Sequence, residues 1–340
     1  MPDLLMTASK RPNPSLLLKK ASCRAFLVTD PKNILYLTGL SVSAGCVLVS
    51  RAKYSLFVDG RYFEAAKKIE ERGLSVLPLE ELGKTLREIG TVGIESRNVT
   101  LERMSFWKRK YKNTKFVQTS GVVELFRRVK FPDERAHIER ASAITRAVLG
   151  GMPRLLSTGI TEKELAWKIE VECKKRGGEG MAFDTIVGFG EHTAIPHHHP
   201  TDRTLRKGDL VQIDMGAKFG GYCSDFSRVY FTEEPTEAQQ KALTALEQAC
   251  AAAMKILKSG VTNRALDLAA RKVLKTHGYD KEFSHALGHG VGLDIHEGVT
   301  LSSRAELQKI KKNEVVTIEP GLYFPGKWGM RIEETIVVSS

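Results

Sequence analysis

Asp214 and Asp225 lie eleven residues apart on a stretch that reads as a β-hairpin, VQIDMGAKFGGYCSDFSRVYF, and Glu319 and Glu333 lie on a second hairpin near the C-terminus. Between the hairpins runs SHALGHGVGLDIHE, rich in histidine and glycine. Carboxylates buried without partners are prohibitively costly, so clustered acids either stay in water or bind cations. Strand context, chain order and His289 inside a Gly-His-Gly turn favour cations here. If the first hairpin turns at Phe219-Gly220, Asp214 faces Asp225 with their Cβ atoms about 5 Å apart, unless a bulge at Gly220-Gly221 shifts the register by one. Glu319 and Glu333 likewise flank a turn centred on Gly326. Two carboxylates per hairpin can chelate or bridge two metal ions about 3.5–4 Å apart, an arrangement suited to hydrolysis. Oxygen ligands with a single imidazole suit manganese, cobalt, iron or zinc better than a thiolate site would.

The elements that must position these groups are legible in outline. Residues 24–60 alternate apolar runs with turn signals (AFLVTD, NILYLTGL, GCVLVS, YSLFVDG) and read as strands punctuated by Asp30-Pro31, Gly39 and Gly60. RYFEAAKKIEERG reads as a helix and VGIES as a further strand, so the first domain is α/β, a mixed sheet with helices. A charged helix spans about 132–150, with Pro132 at its start and Asp133-Glu134 in its first turn. A second follows Thr161, whose partner Glu164 completes a capping box. FDTIVGFG then reads as a strand, EHTAIPHHHPTDRTLRKGD as a loop, and helices follow at about 236–258 and 262–277. Two acid-bearing hairpins in one α+β domain hint at an old internal duplication. His137 and His277 sit in charged helical surroundings and are expected at the surface.

The 340 residues, 42% apolar and 27% charged, accommodate two domains. Residues 1–130 hold 24 Lys and Arg against 12 Asp and Glu, whereas 131–340 hold 28 of each, so the whole net charge of +12 lies in the first part and a boundary falls near 130. The densest basic run, Lys108-Arg109-Lys110-Tyr111-Lys112, lacks the interleaved aromatics of a single-strand binder and reads as a solvated helix face or end, so no nucleic-acid partner is expected. No stretch approaches the roughly 20 apolar residues that cross a bilayer. The N-terminal MPDLLMTASKRPNPSLLLKK has apolar runs broken by Pro and Lys, unlike a signal peptide. Five scattered cysteines without a CxxC pair fit reduced thiols and a cytoplasmic location. There is no phosphate-binding glycine loop.

Several blocks in order, FDTIVGFG, IPHHHP, KGDLVQIDMGAKFGGYCSDFSR, SHALGHGVGLDIHE, TIEPGLYFPG and GMRIEET, resemble the signatures of the pita-bread metallopeptidases, within them the Xaa-Pro branch of aminopeptidase P and prolidase. NILYLTGL and LFVDGRYFEAA are similar to the creatinase-like N-terminal domain of that branch, so the resemblance spans the chain. It implies a creatinase-like domain over 1–130 and a pita-bread catalytic domain over 131–340. It also implies that Asp214, Asp225, His289, Glu319 and Glu333 hold two divalent ions, manganese first and cobalt, zinc or iron as alternatives, with Asp225 and Glu333 bridging. On the same resemblance a bridging hydroxide is the nucleophile and Glu319 the general base. His197 and His296 contact the scissile carbonyl, His285 stands near the substrate, and Arg331 orients ligand carboxylates or polar groups of the substrate. Of the triplet His197-His198-His199, one functional histidine is expected. The final motif departs from the family pattern only in GMRIEET, where an aspartate often follows the glutamate.

The implied activity is hydrolysis between an N-terminal residue and a following proline, whose tertiary amide demands a dedicated pocket. A compact first domain without long insertions leans towards aminopeptidase P over the dipeptidase. Methionine aminopeptidase shares the ligand pattern, but EPG in place of EPM, the PHHHP loop and the extra N-terminal domain argue against it. A non-catalytic pita-bread binding module is disfavoured by five intact ligand positions. The family resemblance further implies a homodimer.

Overall fold

The computed structural model describes residues 12–340 except 51–52 and 71–72. Residues 1–11 of the N-terminal segment discussed above therefore lie outside the described residues. Two compact units divide the chain, Met1–Arg127 and Arg128–Ser340. No described helix is long and apolar enough to cross a membrane.

The first unit carries helices α1 (Pro14–Ala21), α2 (Pro31–Thr38), α3 (Gly60–Lys67), α4 (Leu82–Ile89), α5 (Leu101–Lys110) and α6 (Glu124–Arg127). Its strands are β1 (Ala25–Val28), β2 (Gly45–Ser50), β3 (Lys53–Val58), β4 (Leu74–Pro78), β5 (Thr91–Glu95) and β6 (Lys115–Thr119), in the spatial order β4-β3-β2-β1-β5-β6. The sheet is mixed: β1–β2 and β2–β3 are antiparallel, while β3–β4, β1–β5 and β5–β6 are parallel. Buried Leu27, Leu48, Phe57 and Ile94 fill one core face. One expectation fails here. NILYLTGL is not a strand but lies in α2, because Asp30 is a helix N-cap, accepting from Lys32 N and Asn33 N, with Pro31 at the first helical position. Gly39, at φ 75°, ends the helix in the left-handed conformation. Lys108, Arg109 and Lys110 of the basic run occupy the exposed last turn of α5, where cations suit the helix dipole.

The second unit contains helices α7 (Pro132–Gly150), α8 (Glu162–Lys175), α9 (Glu237–Ile256) and α10 (Asn263–Thr276). Its strands are β7 (Gly180–Met181), β8 (Ile186–Phe189), β9 (Leu210–Met215), β10 (Ala217–Phe219), β11 (Tyr222–Cys223), β12 (Phe226–Phe231), β13 (Gly288–Gly290), β14 (Glu297–Leu301), β15 (Val315–Ile318), β16 (Gly321–Phe324), β17 (Trp328–Arg331) and β18 (Glu334–Val337). The Thr161–Glu164 capping box starts α8 as the sequence indicates. Two helix pairs back the strands. Ile144, Val148, Leu165 and Ile169 of α7 and α8 share a core with Val187, Val211 and Ile213 of β8 and β9. Ala245, Leu246, Ala249, Leu266 and Ala270 of α9 and α10 share another with Val316, Ile318 and Leu322. Each acid-bearing hairpin thus has a rigid helical backing.

His137 is buried rather than exposed. It stacks on Tyr222 at 5.5 Å between ring centroids and packs against Gly220, because the face of α7 that carries it covers the β10–β11 turn. His277 is exposed, as expected.

Candidate metal centre

The first hairpin turns at Gly220-Gly221, both with positive φ (59° and 78°), and not at Phe219-Gly220. Phe219 therefore pairs with Tyr222, and Asp214 pairs with Ser227. Asp225 lies two residues short of the position opposite Asp214, in the break between β11 and β12. That break is where the backbones crowd together: a Cβ on Gly216 would stand 1.8 Å from Ser224 O. Asp225 is held instead by Thr335, whose hydroxyl accepts from Asp225 N at 3.0 Å and donates to Asp225 O at 2.7 Å.

The second hairpin turns about Gly326, as the spacing indicates. Gly321 pairs with Arg331 in β16–β17, and Ile318 pairs with Glu334 in β15–β18. Glu319 and Glu333 occupy the intervening step, where the strands leave one sheet for another. His289 enters from β13, whose flanking glycines are required by close approach. A Cβ on Gly288 or Gly290 would lie 2.1 Å from the carbonyl oxygen of Thr317 or Glu297. Nδ1 of His289 faces the Gly290 carbonyl at 3.0 Å, which turns Nε2 towards the acids.

These side chains converge. His289 Nε2 lies 3.4 Å from Asp225 Oδ2 and 3.4 Å from Glu319 Oε1. Asp225, His289 and Glu333 each offer a ligand atom within 4.8 Å of the others. Asp214, Asp225 and Glu333 are buried, at 7, 5 and 2% exposure, with the Arg331 guanidinium set among them. Burial and the neighbouring acids hold the Asp225 and Glu333 carboxyls well above the usual range. Glu319 is pushed up to about 7, chiefly by burial, although His289 opposes the shift. Asp214 Oδ1 and Glu333 Oε1 are buried with no hydrogen-bond partner among the described residues. Orphaned, buried carboxylate oxygens in a cluster of acids fit divalent cations, the chemistry that would satisfy them without protonation.

Asp214, Asp225, His285, His289, His296, His197, Glu319, Arg331 and Glu333 all border one cavity of about 500 Å³, with Phe183, Ile186 and Ile295 as apolar wall. The rings of His296 and His289 meet edge to face at 4.0 Å. Burial, then His289, pushes the His296 imidazole down to about 4, so it is neutral near pH 7. The turn carrying His296 is pinned by the buried ion pair between Lys130 Nζ and Glu297 Oε1, 2.7 Å. His285 is engaged at both nitrogens, by Tyr323 OH at 3.0 Å and the Ala286 carbonyl at 2.8 Å.

Arg331, expected to orient ligand carboxylates or polar groups of the substrate, borders the cavity and reaches the Asp214 carboxylate. It is 3% exposed, and its guanidinium donates to Ser227 Oγ (2.9 Å), Tyr323 OH (2.7 Å), Pro196 O (3.2 Å) and Asp214 Oδ2 (2.5 Å). The residues around it were not singled out from the sequence. Ser227 also donates to Glu333 Oε2 at 3.0 Å, and the Thr317 hydroxyl bridges His289 N and Glu319 Oε1 at 3.0 and 3.2 Å. An isolated hydroxyl in a strand carries no signal of such a role. Within the histidine triplet, His197 borders the cavity, His198 is buried against Glu162, and His199 is exposed.

Metallopeptidase family M24 matches residues 136–340, and the Creatinase/Prolidase N-terminal domain matches residues 16–129. The chain belongs to metallopeptidase family M24. An Xaa-Pro dipeptidase of Pyrococcus furiosus is 34% identical to this M24 chain over 317 residues, covering 92% of the chain and 90% of the relative. The crystal structure of an X-Pro aminopeptidase from Thermotoga maritima matches with a TM-score of 0.89 at 32% identity, over 96% of this chain and 95% of that one. An Xaa-Pro dipeptidase from Bacillus anthracis matches with a TM-score of 0.91 at 30% identity, over 96% of both chains. The M24 chain is accordingly a metallo-exopeptidase with a creatinase-type first domain and a pita-bread second domain.

Proposed function

We propose that this M24 protein hydrolyses the peptide bond between an N-terminal residue and a following proline, using two divalent cations held by Asp214, Asp225, His289, Glu319 and Glu333. The observation that carries the reading is the convergence of four acids and one imidazole on a single cavity, with two buried carboxylate oxygens unpartnered. Asp225 and Glu333, both deeply buried and each with a ligand atom within 4.8 Å of that of His289, would be the pair shared by both cations. When bound, the cations supply Lewis acidity and an acidified water.

The chain's own residues do the rest. Glu319, which borders the cavity, takes a proton and returns it to the leaving proline nitrogen. His296 and His197 face the space in which the scissile carbonyl would lie and donate to it as charge develops on its oxygen. His285 fixes Tyr323 and borders the substrate space. Arg331 acts on Asp214 instead of touching substrate. Phe183, Ile186 and Ile295 offer apolar surface to a pyrrolidine ring, which has no N–H to satisfy. Manganese is the cation of first choice for a site with one imidazole among carboxylates. A cytoplasmic homodimer is the setting proposed for the enzyme.

The test is turnover of Ala-Pro, an Ala-Pro-containing tripeptide and Met-Ala by protein loaded with manganese, before and after chelation. Cleavage of the proline substrates that disappears on chelation supports the reading. Preferential cleavage of Met-Ala, or proline-directed turnover that survives complete metal removal, defeats it. The relative rates on dipeptide and tripeptide then assign dipeptidase or aminopeptidase action.

A further inference from the structure

His197 is carried on irregular backbone, a 3-10 turn at Gly190–Ala194 followed by turn and extended residues to Thr201. Such a segment has no ladder of its own to fix it, so its geometry must come from elsewhere. Both of its ends converge on one carboxylate. Glu162, the first residue of α8, is 0% exposed. Its Oε1 accepts from Phe189 N (2.9 Å) and His192 Nδ1 (2.9 Å). Its Oε2 accepts from His198 Nε2 (2.9 Å), Thr201 N (2.9 Å) and Thr201 Oγ1 (2.7 Å).

The backbone of the same helical turn adds two bonds, Glu162 N to Arg203 O at 3.1 Å and Lys163 N to Thr201 O at 3.2 Å. A carboxylate at a helix N-terminus is favoured by the dipole. Burial raises the Glu162 pKa, but the hydrogen bonds from His198, Thr201 and Phe189 outweigh it and leave the group below its ordinary value, hence anionic. β17 adds two further bonds: Arg331 donates to Pro196 O at 3.2 Å and Thr193 Oγ1 accepts from Gly329 N at 2.9 Å.

We propose that Glu162 is a positioning residue for hydrolysis: its carboxylate gathers residues 189–201 into the one conformation that presents His197 to the metal cavity. The proposal rests on the reading of His197 as a substrate-contacting histidine. One glutamate with two imidazoles also has the composition of a metal site, and their ligand atoms lie within 4.8 Å of one another. A carboxylate accepts about four hydrogen bonds, however, and Glu162 already accepts five, three of them from backbone and hydroxyl donors that a cation would have to displace. The cluster is therefore a clamp.

Glu162→Gln keeps the volume and replaces one accepting oxygen by a donor. It is expected to lower kcat/KM on an Ala-Pro substrate about tenfold or more in the wild-type background and by no more than about twofold in the His197→Ala background, because residues acting through one another are non-additive. Equal losses in both backgrounds would overturn the proposal. Bound manganese should be unchanged in the variant, and loss of an ion would overturn the clamp in favour of a metal triad. Thr201→Val, a milder change, should show the same pattern at smaller size if Glu162→Gln does not fold. Amide hydrogen exchange supplies a readout independent of turnover: Glu162→Gln should speed exchange at Phe189 and Thr201 while leaving β13 protected. Unaltered exchange over 189–201 would overturn the proposal, whereas faster exchange in a protein inert towards proline substrates would retain the clamp and reject the activity.

Discussion

Arg331 Nη2 donates to Asp214 Oδ2 at 2.5 Å, and the other oxygen of the same carboxylate is buried without a hydrogen-bond partner among the described residues. The guanidinium thus fixes Oδ2 of Asp214 and leaves Oδ1 of this cavity-lining residue free for a cation. Ser227, bonded to both Arg331 and Glu333, extends the same support to a second acid.

Arg331→Lys preserves the charge but cannot reach Asp214, Ser227, Tyr323 and Pro196 O together, because an ammonium lacks the planar fork. Metal affinity should fall by about 10–100-fold, the usual size of a lost supporting contact to a ligand. Titration with manganese against a competing chelator checks this, and an unchanged affinity would refute the assignment of Asp214 as a ligand supported by Arg331.

Asp225→Ala and Glu333→Ala should each abolish turnover of Xaa-Pro substrates by emptying the site. Elemental analysis alongside activity decides the point. Native rates with either substitution would refute the bridging assignment.

Metal uptake should release protons. Burial and neighbouring acids raise the carboxyls of Asp225 and Glu333 in the metal-free protein, so cations compete with protons at these groups up to higher pH than at ordinary carboxyls. Calorimetric titration in two buffers of different ionisation enthalpy measures the number released, and a value of zero would contradict the coupling. The sign for the metal-free protein follows from the raised folded values: its stability falls as pH rises above the unfolded carboxyl range of about 4.

Glu134 offers a cleaner pH test away from the cations. It is buried in α7, receives Phe131 N at 2.8 Å and Tyr222 OH at 3.0 Å, and burial pushes its pKa from 4.5 up to about 7 despite those bonds. Below 4.5 the folded and unfolded chains are both protonated there. Between 4.5 and about 7 only the folded chain keeps the proton, so stability is lost through this window, by an amount on the order of 3 kcal/mol. Glu134→Gln should flatten that fall. Denaturation at pH 5 and pH 8 measures it, and the same slope in variant and wild type would remove Glu134 from the account.

His296→Ala should lower kcat by about 10²-fold or more while bound metal persists, since its imidazole edges His289 without being placed as a ligand. Loss of metal from that variant would reassign His296 to the ligand shell.

Local chemistry carried much of this structure. The Thr161 capping box, the Pro132 helix start, the turn at Gly326 and the apolar strands of the first domain are signals confined to a few neighbouring residues, so they are legible one segment at a time. The order of the acids, with His289 between glycines, likewise pointed to the cavity. Segment-level reading went astray where two local patterns compete. Asp30-Pro31 punctuates a strand or opens a helix, and α2 follows from the cap bonds that Asp30 makes. A one-residue shift of the turn, to Gly220-Gly221, moves the register by two and puts Ser227, not Asp225, opposite Asp214. The partners of Arg331, the burial of His137 and the five bonds of Glu162 depend on residues up to 135 positions apart meeting in space, as Arg331 and Pro196 do. Sequence therefore determined which groups can ligate and in what order they come. Only the packing of helices behind two hairpins decided which of them meet, because burial and long-range hydrogen bonds arise when distant segments close on one another.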